Sequence, residues 1–267
     1  MVGILLETGL VNRTLICVLG KNRPKRPASN SIIPCKLFNS RMRQHFLAAL
    51  LLFAACTPPL REYEPAAKQW EADIRRFERL DSTETDPANA ILFTGSSSIR
   101  LWETIREDMA PYPVIQRGFG GSKMSDVAVY VKRIVYPHQF RALAIFVAND
   151  ITGGADDKTP EQVAGLFAHI HRVVRKKYPA QPVYFIEITP TNSRWKVWPQ
   201  VSQANRLIKA FCEQNRNTYF IDTAAAFTGP DGKPRAGLFI SDQLHLNREG
   251  YKLWAEIIRK KMNATLR

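Results

Sequence analysis

The chain has 267 residues, 45% of them apolar, 10% aromatic and 23% charged, which excludes a wholly disordered protein and leaves room for one large or two small domains. Its formal net charge is +14, but eight of the 38 Lys and Arg residues and only one of the 24 acids fall in residues 1–55, so the rest carries +7 with bases and acids interspersed. So diffuse a charge predicts no nucleic-acid partner, and four cysteines without a CxxC or Cys/His cluster exclude a disulfide-stapled miniprotein and a structural zinc site.

From Met42 the chain reads MRQHFLAALLLFAAC. Arg43 supplies a basic start, Phe46 to Phe53 an apolar run, and Ala54 and Ala55 two small residues ahead of Cys56. This is the layout of a secretory signal peptide over residues 42–55, and the run falls short of the about 20 apolar residues that a membrane span needs. The ending Phe53-Ala54-Ala55-Cys56 resembles a bacterial lipobox, with Phe53 where Leu is usual. That resemblance implies export across the inner membrane, cleavage before Cys56, a lipid on Cys56, and a lipoprotein anchored in the periplasm or at the cell surface. A plain secretory signal, or a short apolar helix packed on the domain, is the alternative. Residues 1–41 include KNRPKRPASN and show no sustained periodicity. They read as an extension upstream of a true start at Met42, or as a disordered basic tail.

Residues 56–63, with Thr57-Pro58-Pro59, read as a linker, and residues 64–267 as one domain. Helical spacing runs from Glu64 to Leu80, with Trp70, Ile74, Phe77 and Leu80 on one face. Short apolar runs follow at Ala90–Thr94, Val114–Gln116, Ala142–Val147, Val183–Ile188 and Tyr219–Asp222. Amphipathic segments lie between and after them, near Ile99–Met109, Lys123–Val135, Pro160–Tyr178, Pro199–Asn215 and Arg248–Met262. In the third, Val163, Leu166, Phe167, Ile170 and Val174 make a core stripe. Alternating strands and helices, with near-continuous apolar strands, predict an α/β fold: a doubly wound three-layer sandwich around a five-stranded parallel sheet. Ligands of such sheets bind at the carboxyl ends of the strands.

Those ends carry Gly95-Ser96-Ser97-Ser98, then Gly118-Phe119-Gly120-Gly121-Ser122, then Asn149-Asp150, and finally Asp242-Gln243-Leu244-His245. A hydroxyl nucleophile, a base, a carboxylate to orient the base and donors for an oxyanion make up the inventory of a serine hydrolase. Each block also has a structural explanation. The serines can cap a helix or bind an anion, Gly120-Gly121 can make a tight turn, and Asn149-Asp150 and Asp242/His245 can order loops. Among five histidines only His245 has a carboxylate three residues away at a strand end, while His169 and His171 face different directions on a helix. No HExxH or HxxxH spacing suggests a catalytic metal.

From Ala90 to about Met262 the pattern resembles the SGNH hydrolases, the GDSL-type esterases and lipases, with a flavodoxin-like fold. Gly95-Ser96-Ser97 matches the first block, with Ser96 in place of the usual Asp, and implies Ser97 as nucleophile. Gly120-Gly121-Ser122 implies the Gly121 N–H as an oxyanion donor beside that of Ser97, and Val147-Ala148-Asn149-Asp150 implies the Asn149 side chain as a third. Val147 stands where the family has glycine, so the backbone near Asn149 is expected to be open to change. Asp242 and His245 complete the implied triad. The resemblance implies no cofactor. After the fourth strand Thr189-Pro190-Thr191-Asn192-Ser193-Arg194-Trp195 is long enough to overhang the same rim, with Arg194 and Trp195, the latter together with Trp198, as candidate substrate contacts, or as residues packed on the domain. Asp222 reads as structural.

The expected function is therefore a serine esterase acting on short acyl, above all acetyl, esters of small molecules or glycans. A lysophospholipase or thioesterase of the same family is the nearest alternative enzyme, and a non-catalytic carbohydrate-binding surface lipoprotein the alternative of another class. Mass spectrometry of membrane-extracted protein should find a diacyl or triacyl cysteine at Cys56. A soluble product beginning upstream of residue 42 would contradict that reading.

Overall fold

The computed structural model describes residues 60–266. The expected extension 1–41, the signal 42–55, the lipidation site Cys56 and the linker residues up to 59 lie outside that range. Residues 60–63, expected as the end of the linker, are a short helical turn (Leu60–Glu62) and its neighbour, and Leu60 and Tyr63 pack against the core.

The expected Glu64–Leu80 helix is broken into Glu64–Ala67, Lys68–Trp70 and helix α1 (Glu71–Thr83). The chain then alternates: β1 (Ile91–Gly95), α2 (Ser97–Arg100), β2 (Val114–Gly118), α3 (Met124–Val135), β3 (Ala142–Phe146), α4 (Pro160–Lys177), β4 (Val183–Ile186), α5 (Trp198–Gln214), β5 (Thr218–Ile221) and α6 (Arg248–Thr265). All four strand pairings are parallel, in the order β2-β1-β3-β4-β5. This is the doubly wound five-stranded sheet that the alternation predicts.

Side-chain alternation along the strands divides the core in two. Leu92, Leu143, Ile145, Val183 and Phe185 face α1, α3, α4 and α5, whereas Ile91, Phe93, Ala144, Tyr184 and Ile186 face α2 and α6. The stripe Val163, Leu166, Phe167, Ile170 and Val174 of α4 is fully buried in the first half. Each such side chain contributes about 1.5–3 kcal/mol by leaving water. Thr159 caps α4 through its hydroxyl, which accepts the Gln162 N–H, and Pro160 occupies the first turn.

The expected Ile99–Met109 helix is instead two turns, α2 and Ile105–Asp108. Its periodicity is real, since Ile99, Trp102, Ile105 and Met109 are all buried. Side-chain contacts hold the two turns in place. Gln116 of β2 donates its side-chain amide to the Ile99 and Trp102 carbonyls, while Trp102 Nε1 donates to Asp108 at 2.7 Å. The Ile99 carbonyl also accepts the Trp102 N–H at 3.3 Å and the Trp102 carbonyl the Ile105 N–H at 3.2 Å, so the backbone here closes i to i+3 turns in place of one continuous helix.

At the end of β1 the backbone passes close to β3. Gly95 has φ +134°, and a Cβ there would lie 1.8 Å from the Phe146 carbonyl oxygen. Only glycine tolerates that approach. Gly95→Ala should destabilise the fold by about 3 kcal/mol or more, from backbone strain plus the forced shift of β3. The urea midpoint measures this, and a midpoint equal to wild type would contradict it.

Candidate active site

The tight turn at Gly95 makes Ser96 the residue preceding α2 and Ser97 its first residue. Ser96 is buried, its N–H donates to the Phe146 carbonyl at 2.9 Å, and its own carbonyl accepts from Ile99 and Arg100. The Ser98 carbonyl accepts the Tyr251 hydroxyl at 2.9 Å. Of the three consecutive hydroxyls, Ser97 Oγ is the one that meets an imidazole, lying 2.9 Å from His245 Nε2.

His245 stands on a loop between Phe239 and Leu246, which pair as an isolated antiparallel bridge. Inside the loop Gln243 takes φ +53°, and its N–H donates to the Ile240 carbonyl. Asp242 Oδ1 accepts the Leu244 and His245 N–H groups at 2.9 Å each, and Oδ2 lies 2.6 Å from His245 Nδ1. An ionised carboxylate only accepts, so Nδ1 carries the proton and Nε2 is left as the acceptor for the Ser97 hydroxyl. Burial pushes the Asp242 carboxyl up. Its hydrogen bonds from the His245 ring and the two N–H groups outweigh this and hold it below its ordinary value.

Two of the other described histidines are engaged elsewhere. His138 Nδ1 meets Asp86 at 3.0 Å, and His171 Nε2 meets the Thr218 hydroxyl at 2.9 Å, with burial pushing His171 down to about 4. Asp222, at the end of β5, pairs with Lys209 on the surface.

Three candidate donors stand after β1, β2 and β3: the Ser97 and Gly121 N–H groups and the Asn149 side-chain amide. Neither the Ser97 nor the Gly121 N–H bonds to another described residue. Asn149 Nδ2 lies 3.1 Å from the Ser122 carbonyl and 3.9 Å from where a Cβ on Gly121 would sit, so the two donors are adjacent. Val147 does not disturb this. Among the described residues only Asn89, Asn217 and Gln243 combine a side chain with positive φ, and the Val147 side chain is buried in the core. The valine fits because the loop here asks nothing of it that only glycine supplies.

Two supports were not visible in the motifs. Trp70 packs on the Gly118–Ser122 turn so closely that a Cβ on Gly120, whose φ is +41°, would fall 1.9 Å from its ring. Its Nε1 donates to Asp126 at 3.1 Å. Buried Asp150 accepts the Met124 N–H at 2.7 Å and pairs with Lys158 at 3.1 Å, tying the start of α3 to the loop that carries Asn149. Burial pushes the Asp150 carboxyl up, against the pull of Lys158 and Met124.

The Asn192–Val197 turn reaches the rim and carries both candidate contacts, Arg194 and Trp195. Arg194 borders the cavity while donating to the Ala148 carbonyl at 2.7 Å and to Asn149 Oδ1 at 2.8 Å, so these donors are directed to the protein. Trp195 stacks on Trp198, with ring centroids 6.0 Å apart, and it is Trp198 that lines the cavity. That cavity opens beside Ser97 and His245, measures about 30 Å³, and has apolar walls that include Phe146, Ile188, Val201, Phe239 and Trp254.

Residues 94–253, more than half of the chain, match the GDSL-like Lipase/Acylhydrolase family. No curated protein sequence matches the chain. Among solved structures, a GDSL-like lipase from Bacteroides thetaiotaomicron is similar at 16% identity and TM-score 0.60, covering 73% of this chain and 99% of its own. The lipase/acylhydrolase from Enterococcus faecalis is similar at 19% identity and TM-score 0.52, covering 67% and 97%. An acetyl xylan esterase is similar at 19% identity and TM-score 0.53, covering 64% and 98%. At these identities the likeness speaks to the fold, and the family match speaks to the chemistry. The chain belongs to the GDSL-like lipase/acylhydrolase family and is a hydrolase.

Proposed function

We propose that the protein is a serine esterase that removes short acyl groups, above all acetyl groups, from small-molecule or carbohydrate esters. The observation that carries this reading is the chain of contacts from Asp242 through His245 to Ser97, at 2.6 and 2.9 Å, beside the cavity. In the proposed mechanism His245 Nε2 takes the Ser97 proton as Oγ attacks the ester carbonyl. The N–H groups of Ser97 and Gly121 and the Asn149 amide receive the developing oxyanion. His245 then protonates the leaving alcohol, and water, activated by the same imidazole, releases the acid and restores Ser97. Asp242 keeps the imidazole in the required tautomer and stabilises its cationic form.

The small cavity supports the short acyl group. A single water needs about 10–15 Å³ of such space, so a volume of about 30 Å³ beside Ser97 has room for an acyl group of a few heavy atoms. The similarity to an acetyl xylan esterase and the stacked Trp195–Trp198 pair beside the site favour a carbohydrate as the alcohol portion. For the cell location, the layout of residues 42–56 supports an exported protein held at a membrane surface by lipid on Cys56.

A series of p-nitrophenyl esters tests substrate and mechanism together. kcat/KM should be highest for acetate and fall about tenfold or more by octanoate. Ser97→Ala should lower kcat by about 10⁴ or more, while Ser96→Ala and Ser98→Ala keep a substantial part. A preference for long chains would overturn the acyl assignment. Equal losses at the three serines would mean that the turn binds an anion and does not form an acyl-enzyme.

A further inference from the structure

We infer that Arg194 is a positioning residue for the reaction, a clamp that fixes which end of the Asn149 side-chain amide faces the ester. This rests on the reading of Asn149 as an oxyanion donor. A guanidinium has only donors. Arg194 uses two of them on neighbouring acceptors, Nη1 on the Ala148 carbonyl at 2.7 Å and Nη2 on Asn149 Oδ1 at 2.8 Å. The second bond and the Nδ2 donation to the Ser122 carbonyl fix the amide orientation from its two ends, with the oxygen on Arg194 and the nitrogen facing away from it. Nδ2 is then turned towards the Ser122 carbonyl and the Gly121 backbone, with one hydrogen on Ser122 at 3.1 Å and the other left over.

Without Arg194 only the single bond to the Ser122 carbonyl would hold the amide against the reversed orientation. The reversed one would present Oδ1 to the developing oxyanion, replacing attraction with repulsion. The charge of Arg194 also polarises the amide it holds, which strengthens Nδ2 as a donor.

The turn that delivers Arg194 is itself fastened to the base. The Asn192–Val197 stretch departs from helical geometry at Arg194, with φ −117° and ψ 18°. The Ser193 N–H donates to the Gln243 carbonyl at 3.2 Å, and Asn192 Nδ2 donates to Gln243 Oε1 at 2.8 Å. Gln243 lies between Asp242 and His245. One turn thus joins the loop of the general base to the amide that receives the oxyanion.

The test is a double-mutant cycle in the otherwise intact chain, with p-nitrophenyl acetate as substrate and the urea midpoint as a control for folding. Arg194→Met, which keeps the stem and removes the donors, should lower kcat about 10- to 100-fold with KM changed less than about threefold. Arg194→Lys should recover part of that loss with its single ammonium and provides a second variant if Arg194→Met fails to fold. Asn149→Ala should lower kcat by about 10²–10³. Adding Arg194→Met to Asn149→Ala should cost less than about threefold more, since a clamp with nothing to hold has no further effect. A raised KM with wild-type kcat would overturn the proposal and assign Arg194 to substrate binding. Additive losses, or an unchanged kcat, would overturn it as well. An Asn149→Ala loss below fivefold, with Ser97→Ala inactive, would remove Asn149 from the oxyanion site and this proposal with it. If Ser97→Ala retained activity, the serine mechanism itself would be what failed.

Discussion

The close approach of β1 to β3 at Gly95 organises everything above the sheet. With no side chain on Gly95, the β1 backbone rests against the Phe146 carbonyl, and the Ser96 N–H bonds to that same oxygen at 2.9 Å. The chain can then turn at once into α2, which lifts Ser97 above the end of β1 and beside the loop leaving β3. That crevice is the point where the strand order reverses direction, β2 and β1 on one side and β3 onwards on the other. Parallel sheets of this kind open their binding crevices there. A larger residue at Gly95 would push apart the two strand ends that carry the Ser97 hydroxyl and the Asn149 amide.

Around that crevice the remaining groups are held by loops, and each loop is pinned by contacts of its own. Trp70 presses on Gly120, Asp150 anchors the Asn149 loop to α3 and Lys158, and the bridge between Phe239 and Leu246 closes the loop of Asp242 and His245. Further down, Arg248 at the start of α6 makes a two-point ion pair with Asp108, so the helix following His245 is fixed to the turn after α2. Preorganisation of this kind is what electrostatic catalysis requires, because donors already in place need not reorganise as charge develops.

Much of this was legible in the residues. The five apolar runs became the five strands within a few positions, and the α4 stripe buried as its spacing required, because burial on a sheet leaves a strong period in the sequence. The blocks holding Ser97, Gly121, Asn149, Asp242 and His245 stand out because they follow strands or precede a helix, where such sheets place ligand-facing groups, and the family resemblance singles out the residues within them. What the residues did not disclose was direction and partnership. The Ile99–Met109 segment keeps helical periodicity through a break, and its carbonyls there also accept from Gln116 of β2. Arg194 looked like a substrate contact, but its two acceptors lie 45 and 46 positions earlier in the chain, and nothing local says that it turns inward. Trp195 and Trp198 are equally aromatic on paper, and only packing tells which one lines the cavity.

The central claim is that Ser97 is a nucleophile made reactive by His245. Intact-mass and peptide analysis after treatment with a fluorophosphonate tests it most directly, since the reagent forms a stable phosphonyl ester with an activated serine. One adduct per chain is expected, on the peptide containing Ser97, absent in Ser97→Ala and formed far more slowly in His245→Ala. No adduct, an adduct on another residue, or labelling that is indifferent to His245 would contradict the account.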